Sequence, residues 1–408
     1  MRIRIPELVE DSREVRMSAL VEFQQRQEHV WYSVDRQYAD FLTPERQDAF
    51  LVGLLPLAME NGEDITLDGA VSERLFYHLA HYYMRVMSIR IPRMRPVKIL
   101  PGNVVAERVV GARAGVVTGF SGGIDSFCVL ADHLFREVPP GFRLTHLVFN
   151  NVGSHGQGQG GRAMFRRRYE RLVPLARELG LPYIAIDSNL PEILDSDFER
   201  TSTTRNVAAV LAMQRLFGKY LYASTERYED CHVRPPRPLP WPEVGIAISD
   251  PIALPLLSTE TTECISTGCQ YARTEKTRRV SEIPYSYKYL DVCVTDIVDG
   301  NCSACTKCAR TLFTLELLGK LPLYEKVFDL TRYRQARRRY LLEVLTSRHF
   351  LLKEIRELAE ERRFRFPLSL RLAALFHKVA NWLHPHIPAP LRRAAKRLLR
   401  RSPRIDKP

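Results

Sequence analysis

Between Gly115 and Ala223 short apolar runs alternate with helix-length segments, and this alternation restricts the chain more than any other feature. Gly115-Val-Val-Thr-Gly-Phe120, Leu144 to Phe149, Tyr183 to Ile186 and Tyr220 to Ala223 read as strands. The stretches Phe127 to Leu134, about Arg162 to Leu179 and about Arg205 to Phe217 carry apolar residues at helical spacing. Strands separated by helices cannot pair as hairpins, so the pattern predicts an α/β fold with a doubly wound parallel sheet. Ligands of such sheets sit at the carboxyl ends of the strands.

One of those ends carries chemistry. Ser121-Gly-Gly-Ile-Asp-Ser126 lies where the first strand hands over to a helix. The two glycines allow a tight turn and close approach of the backbone to an anion, and the helix start presents free N–H groups and positive potential to it. Ser121 and Ser126 add hydroxyls. Asp125 would repel a phosphate unless a divalent cation such as Mg²⁺ joins the two. No lysine closes the loop, so it differs from the loop of phosphoryl-transferring ATPases.

The eight cysteines are too few for a disulfide scaffold in a chain of 408 residues, and half of them cluster. Cys302, Cys305 and Cys308 are spaced by two residues, and Cys293 lies upstream across a turn at Asp299-Gly300-Asn301. Four thiolates around one Zn²⁺ make a closed structural site. A redox pair or an iron–sulfur cluster is the rival reading, with Cys264 or Cys269 as alternative fourth ligands. Cys128 and Cys231 read as core or surface thiols.

The loop resembles the Ser-Gly-Gly-x-Asp-Ser signature of the PP-loop ATP pyrophosphatases, which cleave ATP between the α- and β-phosphates. With the cysteine pattern, residues 114 to 315 resemble the 7-cyano-7-deazaguanine synthases of that class. Thr204-Arg205-Asn206 looks like their Arg-Asn element, and Tyr228-Glu-Asp-Cys231 like a degraded form of their Tyr-Pro-Asp-Cys-Arg segment. Two segments depart from it: Asn150-Asn-Val-Gly-Ser-His-Gly156 and Leu256-Leu-Ser-Thr-Glu260 replace family elements, which implies a different acceptor. The stretch from Asn301 to Thr311 is closer still to an uncharacterised PP-loop group with long N-terminal modules.

The resemblance implies an enzyme that binds ATP with Mg²⁺ on Ser121, Gly122, Gly123, Ile124, Asp125 and Ser126. It would adenylate a carboxylate or carbonyl oxygen of a small molecule or peptide, then form a C–N bond with an amine or ammonia. Asp125, Ser121, Lys276 and Arg205 are the expected catalytic residues; Lys276 or Arg273 would cover the α-phosphate. Arg273, Glu275 and Lys276 are also readable as a solvated charge run. His155 is a candidate base beside Ser154 or an idle loop residue. Arg205 reads as opening its helix, with Asn206 as a cap. Two alternatives stand beside this: a tRNA base-modifying enzyme and a non-catalytic nucleotide-binding scaffold.

Charge divides the chain. Residues 321 to 408 hold 22 Lys and Arg against 8 Asp and Glu, whereas the first 320 residues are nearly balanced. Leu391, Ala394, Ala395, Leu398 and Leu399 share one helical face among Arg392, Arg393, Lys396, Arg397 and Arg400. Such a helix suits RNA phosphates or anionic lipid, or packs on its own domain. Phe376 and Trp382 are upstream apolar anchors. The expected domains are an N-terminal α/β accessory module (1–110), a PP-loop domain with the zinc site (111–325) and a basic helical tail (326–408). The proline-rich stretch from Glu229 to Pro255 reads as an irregular connection or lid. No apolar run is long enough to span a bilayer and no signal-peptide core opens the chain, so a cytoplasmic protein is expected.

Overall fold

The computed structural model describes residues 1–194, 196–235, 245–293, 295 and 300–383. The chain divides into two units, Met1–Val292 and Cys293–Pro408. Pro236, Pro238, Pro240 and Pro242 of the expected lid, Asp299 of the expected turn and the tail helix at 391–400 lie outside the described residues.

In the first unit the strands are β1 (Arg2–Ile3), β2 (Glu7–Glu10), β3 (Glu14–Phe23), β4 (Arg26–Asp35), β5 (Ile65–Leu67), β6 (Ala70–Ser72), β7 (Ile99–Leu100), β8 (Asn103–Val105), β9 (Gly115–Gly119), β10 (His146–Asn151), β11 (Tyr183–Ser188), β12 (Phe217–Ala223) and β13 (Glu263–Thr267). Eleven of them form one sheet ordered β13-β12-β9-β10-β11-β4-β3-β1-β5-β7, with β2 on β3. The run from β13 to β11 is parallel throughout, and β4 joins β11 antiparallel. The fold is therefore α/β with a mixed, mostly parallel central sheet. β9 is buried along nearly its whole length, as a strand covered on both faces must be.

The strands of the first 110 residues share this sheet with those that follow. Ser33 pairs with Asp187 and Tyr32 with Ser188. Asn189 then clamps the seam, accepting from the Trp31 N–H at 2.9 Å and donating to the His29 carbonyl at 2.6 Å. The pairing covers what would otherwise be the open edge of β11. Behind it, helix Asp48–Asn61 packs on helix Phe198–Leu211, and Gly53 is the contact point. A Cβ there would lie 2.6 Å from the Tyr32 hydroxyl. Buried Asp48 accepts from the Ser72 amide and hydroxyl and from Gln214 Nε2, which ties the two stretches together.

Helix Phe198–Leu211 starts earlier than expected. It was expected from about Arg205, yet Thr201-Ser-Thr-Thr204 lies inside it, although such hydroxyls compete with a helix for hydrogen bonds. Here they bond back along it instead: Thr204 Oγ1 donates to Thr201 O at 2.9 Å. Arg205 and Asn206 thus lie inside the helix; Asn206 donates to Ser202 O at 2.8 Å and caps nothing.

The second unit is helical: Thr306–Leu317, Leu330–Thr346, Phe350–Glu361 and Leu368–Leu383. Leu312, Phe313, Tyr333, Leu341, Ile355 and Ala359 are buried in it. Glu316 accepts from Tyr333 Oη at 2.7 Å and from Arg337 Nε at 2.8 Å. The cysteine stretch belongs to this unit, since Asn301 Nδ2 donates to Val327 O and Ser303 Oγ accepts from the Asp329 amide. Among the described residues no helix is long and apolar enough to cross a membrane.

Candidate functional site

Counting β9 as the first strand of the parallel half, the spatial order runs third, second, first, fourth, fifth, and it reverses between β9 and β12. Connections leave such a switch point toward opposite faces and open a crevice at the carboxyl ends. Residues 121–126 follow β9 into this crevice, Ser224–Glu226 follow β12, and Gly268 with helix Arg273–Val280 follows β13.

The loop after β9 is shaped for close approach. Gly122 has φ +76°, and a Cβ on it would meet Leu172 Cδ2 at 3.1 Å and the Tyr289 carbonyl at 3.2 Å, so both strain and space demand glycine. The helix begins at Ile124, and among the described residues no protein acceptor meets the N–H groups of residues 121–126. Six consecutive amides at a helix start are a concentrated set of anion donors. Ser121 is exposed, while Ser126 is buried and its hydroxyl donates to Gly123 O at 3.0 Å. The Asp291 amide pins the loop by donating to Gly122 O at 2.8 Å, and the Asp291 carboxylate is ion-paired with Arg171.

Two cations converge on Asp125. Arg273 Nη1 lies 2.6 Å from Oδ2 and Lys276 Nζ lies 3.1 Å from Oδ1, while Lys276 also donates to the Ser224 carbonyl at 2.6 Å. Helical spacing delivers them: Arg273, Lys276 and Arg279 face Asp125 and Asp132 on the loop helix Ile124–His133, Arg279 pairing with Asp132. Lys276 is only 1% exposed and packs under Gly268, whose φ of +88° turns the chain over it. Burial pushes the Asp125 carboxyl up, but Arg273 and Lys276 outweigh it and hold it below the ordinary carboxylate range. Glu275, the other member of the expected charge run, caps this helix by accepting from the Ala272 amide at 2.7 Å.

Mg²⁺ would fit at Asp125 only if phosphate came with it. Both carboxylate oxygens already accept from cations, so a bare metal ion would meet Arg273 and Lys276 head-on. A phosphate chain brings enough negative charge for both cations and the metal.

The remaining expected residues fall elsewhere. Arg205 is buried, with Nε on Thr201 Oγ1 at 2.7 Å, Nη1 on Val152 O at 3.2 Å and Nη2 on Ser196 O at 2.8 Å. Burial lowers its pKa to about 10. Its fork holds the chain beyond β10. His155 packs against Phe149 and Phe165, and burial takes its pKa down to about 4, so it is neutral. Burial also raises the Cys128 thiol to about 12, which leaves it inert.

Sequence reading passed over three groups. Ser224 contributes its carbonyl to Lys276. Glu226, two residues on, has its carboxyl raised by burial while Arg273 opposes the shift, and its Oε2 has no hydrogen-bond partner among the described residues. Asp250 is fully buried: Thr203 donates to Oδ1 at 2.8 Å, yet Oδ2 has no partner there. The rule that ligands gather at carboxyl strand ends would have flagged Ser224 and Glu226; no pattern marks Asp250.

In the second unit the sulfurs of Cys293, Cys302, Cys305 and Cys308 lie within 4.8 Å of one another. Cys302 Sγ to Cys308 Sγ is 3.9 Å, close to the separation of about 3.8 Å that tetrahedral Zn–S bonds impose. Backbone amides point at the sulfurs: Cys302 N at Cys293, Cys305 N at Cys302 and Cys308 N at Cys305, at 3.3 to 3.5 Å. A hydrogen bond from Cys308 lowers the Cys305 thiol well below its ordinary value. Burial raises the Cys302 thiol, but the amides of Ala304 and Cys305 outweigh it and lower it. The four cysteines can hold a metal ion such as zinc. Cys264 and Cys269 are not among them: Cys264 faces Leu257 O and Cys269 the Ser266 hydroxyl. No protein-family model matches the chain, and neither does any curated protein or solved structure.

Proposed function

We propose that the first unit binds ATP with its phosphates over residues 121–126 and transfers AMP to an oxygen of an acceptor, as the PP-loop ATP pyrophosphatases do. On this reading the sheet is a doubly wound PP-loop domain, and the cysteines of the second unit hold a structural zinc. The supporting observation is Lys276: a fully buried lysine, held with Arg273 on the first-turn aspartate of a helix whose leading amides have no acceptor among the described residues.

A carboxylate or carbonyl oxygen of the acceptor attacks the α-phosphorus; the bond from that phosphorus to the bridging oxygen breaks, and pyrophosphate departs with the electron pair. The loop amides and the Ser121 hydroxyl hold the departing phosphates, and Lys276 and Arg273 move from Asp125 to the negative charge that develops there. Asp125 would hold Mg²⁺, which neutralises phosphate charge when bound. An amine or ammonia then attacks the activated carbon, loses a proton and expels AMP, leaving a C–N bond.

Two measurements test this. Calorimetry should show binding of ATP with Mg²⁺, and none of Mg²⁺ without nucleotide. With extract of the host as the source of acceptor, ATP should give AMP and pyrophosphate in equal amounts, falling about 10²- to 10³-fold in Lys276→Met. ADP and phosphate as products, or no ATP binding, would refute the proposal.

A further inference from the structure

We propose that helix Leu368–Leu383 is an in-plane anchor that lays the second unit on an anionic lipid surface. The helix has two apolar faces. Leu370 and Ala374 are buried on the side that packs against helix Leu330–Thr346. Leu368, Leu372, Leu375, Phe376 and Val379 are exposed, Leu368 by 69% and Phe376 by 74%. At 100° per residue those five fall within an arc of about 100°, opposite the buried pair. Five large apolar side chains on one stripe are far more than scattered surface hydrophobics require.

Charge identifies what covers the stripe. The helix contains no acidic residue, and exposed Arg371 and Lys378 run along one margin of the stripe. The surrounding sequence from 321 to 408 keeps the same sign, with 22 basic residues against 8 acidic. An apolar stripe bordered by cations matches the boundary between acyl chains and anionic headgroups, where such a helix lies in the plane. Nucleic acid fits less well: phosphates would satisfy Arg371 and Lys378 but leave four aliphatic side chains in water, with Phe376 alone able to stack.

The test is flotation of the full-length protein with vesicles of phosphatidylcholine alone, or of phosphatidylcholine and phosphatidylglycerol at about two to one. The wild-type protein should float with the second kind and stay behind with the first. Leu372→Asp/Phe376→Asp should lower the bound fraction about tenfold or more, with an unchanged melting curve because both side chains face solvent. Arg371→Glu/Lys378→Glu should weaken binding several-fold and remove most of its salt dependence. The proposal is overturned if the double aspartate variant floats like wild type. It is also overturned if the protein ignores both vesicles, whether it then retains RNA, pairs with a second copy or covers the stripe with residues 384–408.

Discussion

The sulfur cluster and the crevice at the strand ends are assembled in opposite ways. Three of the four cysteines lie within seven consecutive residues, and their sulfurs take amides from that same stretch, so the site is local in sequence. The crevice draws Ser121–Ser126 from one connection, Ser224 from a second, Lys276 from a third and Asp291 from a fourth. Lys276 and Asp125 are 151 residues apart in the chain and meet only because β13, β12 and β9 are neighbours in the sheet. A local site can supply a small unit with stability; a site built by topology borrows stability from the sheet and can spend its own residues on chemistry.

The largest expected effect breaks or confirms the first half of that contrast. Cys305→Ser should abolish the bound metal and unfold the second unit, because structural Zn²⁺ contributes on the order of 10 kcal/mol in small domains. Metal analysis and limited proteolysis of the 293–408 region provide the readout; one equivalent of metal in a variant as resistant as wild type would reject a metal-built unit. Lys276→Met should leave proteolysis of the 293–408 region unchanged, while the first unit loses some stability because Asp125 Oδ1 and the Ser224 carbonyl lose their donor.

Arg205 sharpens the second half. Its guanidinium satisfies Thr201 Oγ1, Val152 O and Ser196 O, so Arg205→Met should strand two buried acceptors and one half-buried one and destabilise the first unit by about 3 kcal/mol. A catalytic role would give the reverse result: ATP turnover lost at an unchanged melting temperature.

How much of this was legible follows from the same contrast. The glycine turn between strand and helix at 121–126, the cysteine spacing and four strands of the parallel run could be read because each is written in adjacent residues. Lys276 was recognised as a candidate, but its meeting with Asp125 was not, since β13 is a short, half-polar run, Glu263-Cys-Ile-Ser-Thr267, with no strand-like alternation. Arg205 shows the converse error: the helix was expected to open at it, whereas the hydroxyl-rich residues before it are already helical, with Thr204 bonded back to Thr201 O. The seam between β4 and β11 was invisible because strand pairing depends on a partner's register, which neither strand encodes alone.

Asp250, whose effect appears only as pH changes, separates a poised group from a merely buried one. Burial pushes its carboxyl up to about 7, Thr203 pulling the other way and Glu226 adding to the rise. A carboxyl whose folded pKa exceeds its unfolded value stabilises the fold below pH 4, and the contribution disappears as pH rises through 7, because the folded state must then carry a buried charge. Asn keeps the shape and cannot ionise, so Asp250→Asn should gain on wild type between pH 4 and pH 8, by about 4 kcal/mol in urea melts. A difference that does not change with pH would mean that Asp250 is ionised, or solvated, throughout. If the gain appears and ATP turnover survives, the orphaned oxygen is a burden of folding; if the gain appears and turnover falls, the crevice extends inward to Asp250, and the acceptor reaches it.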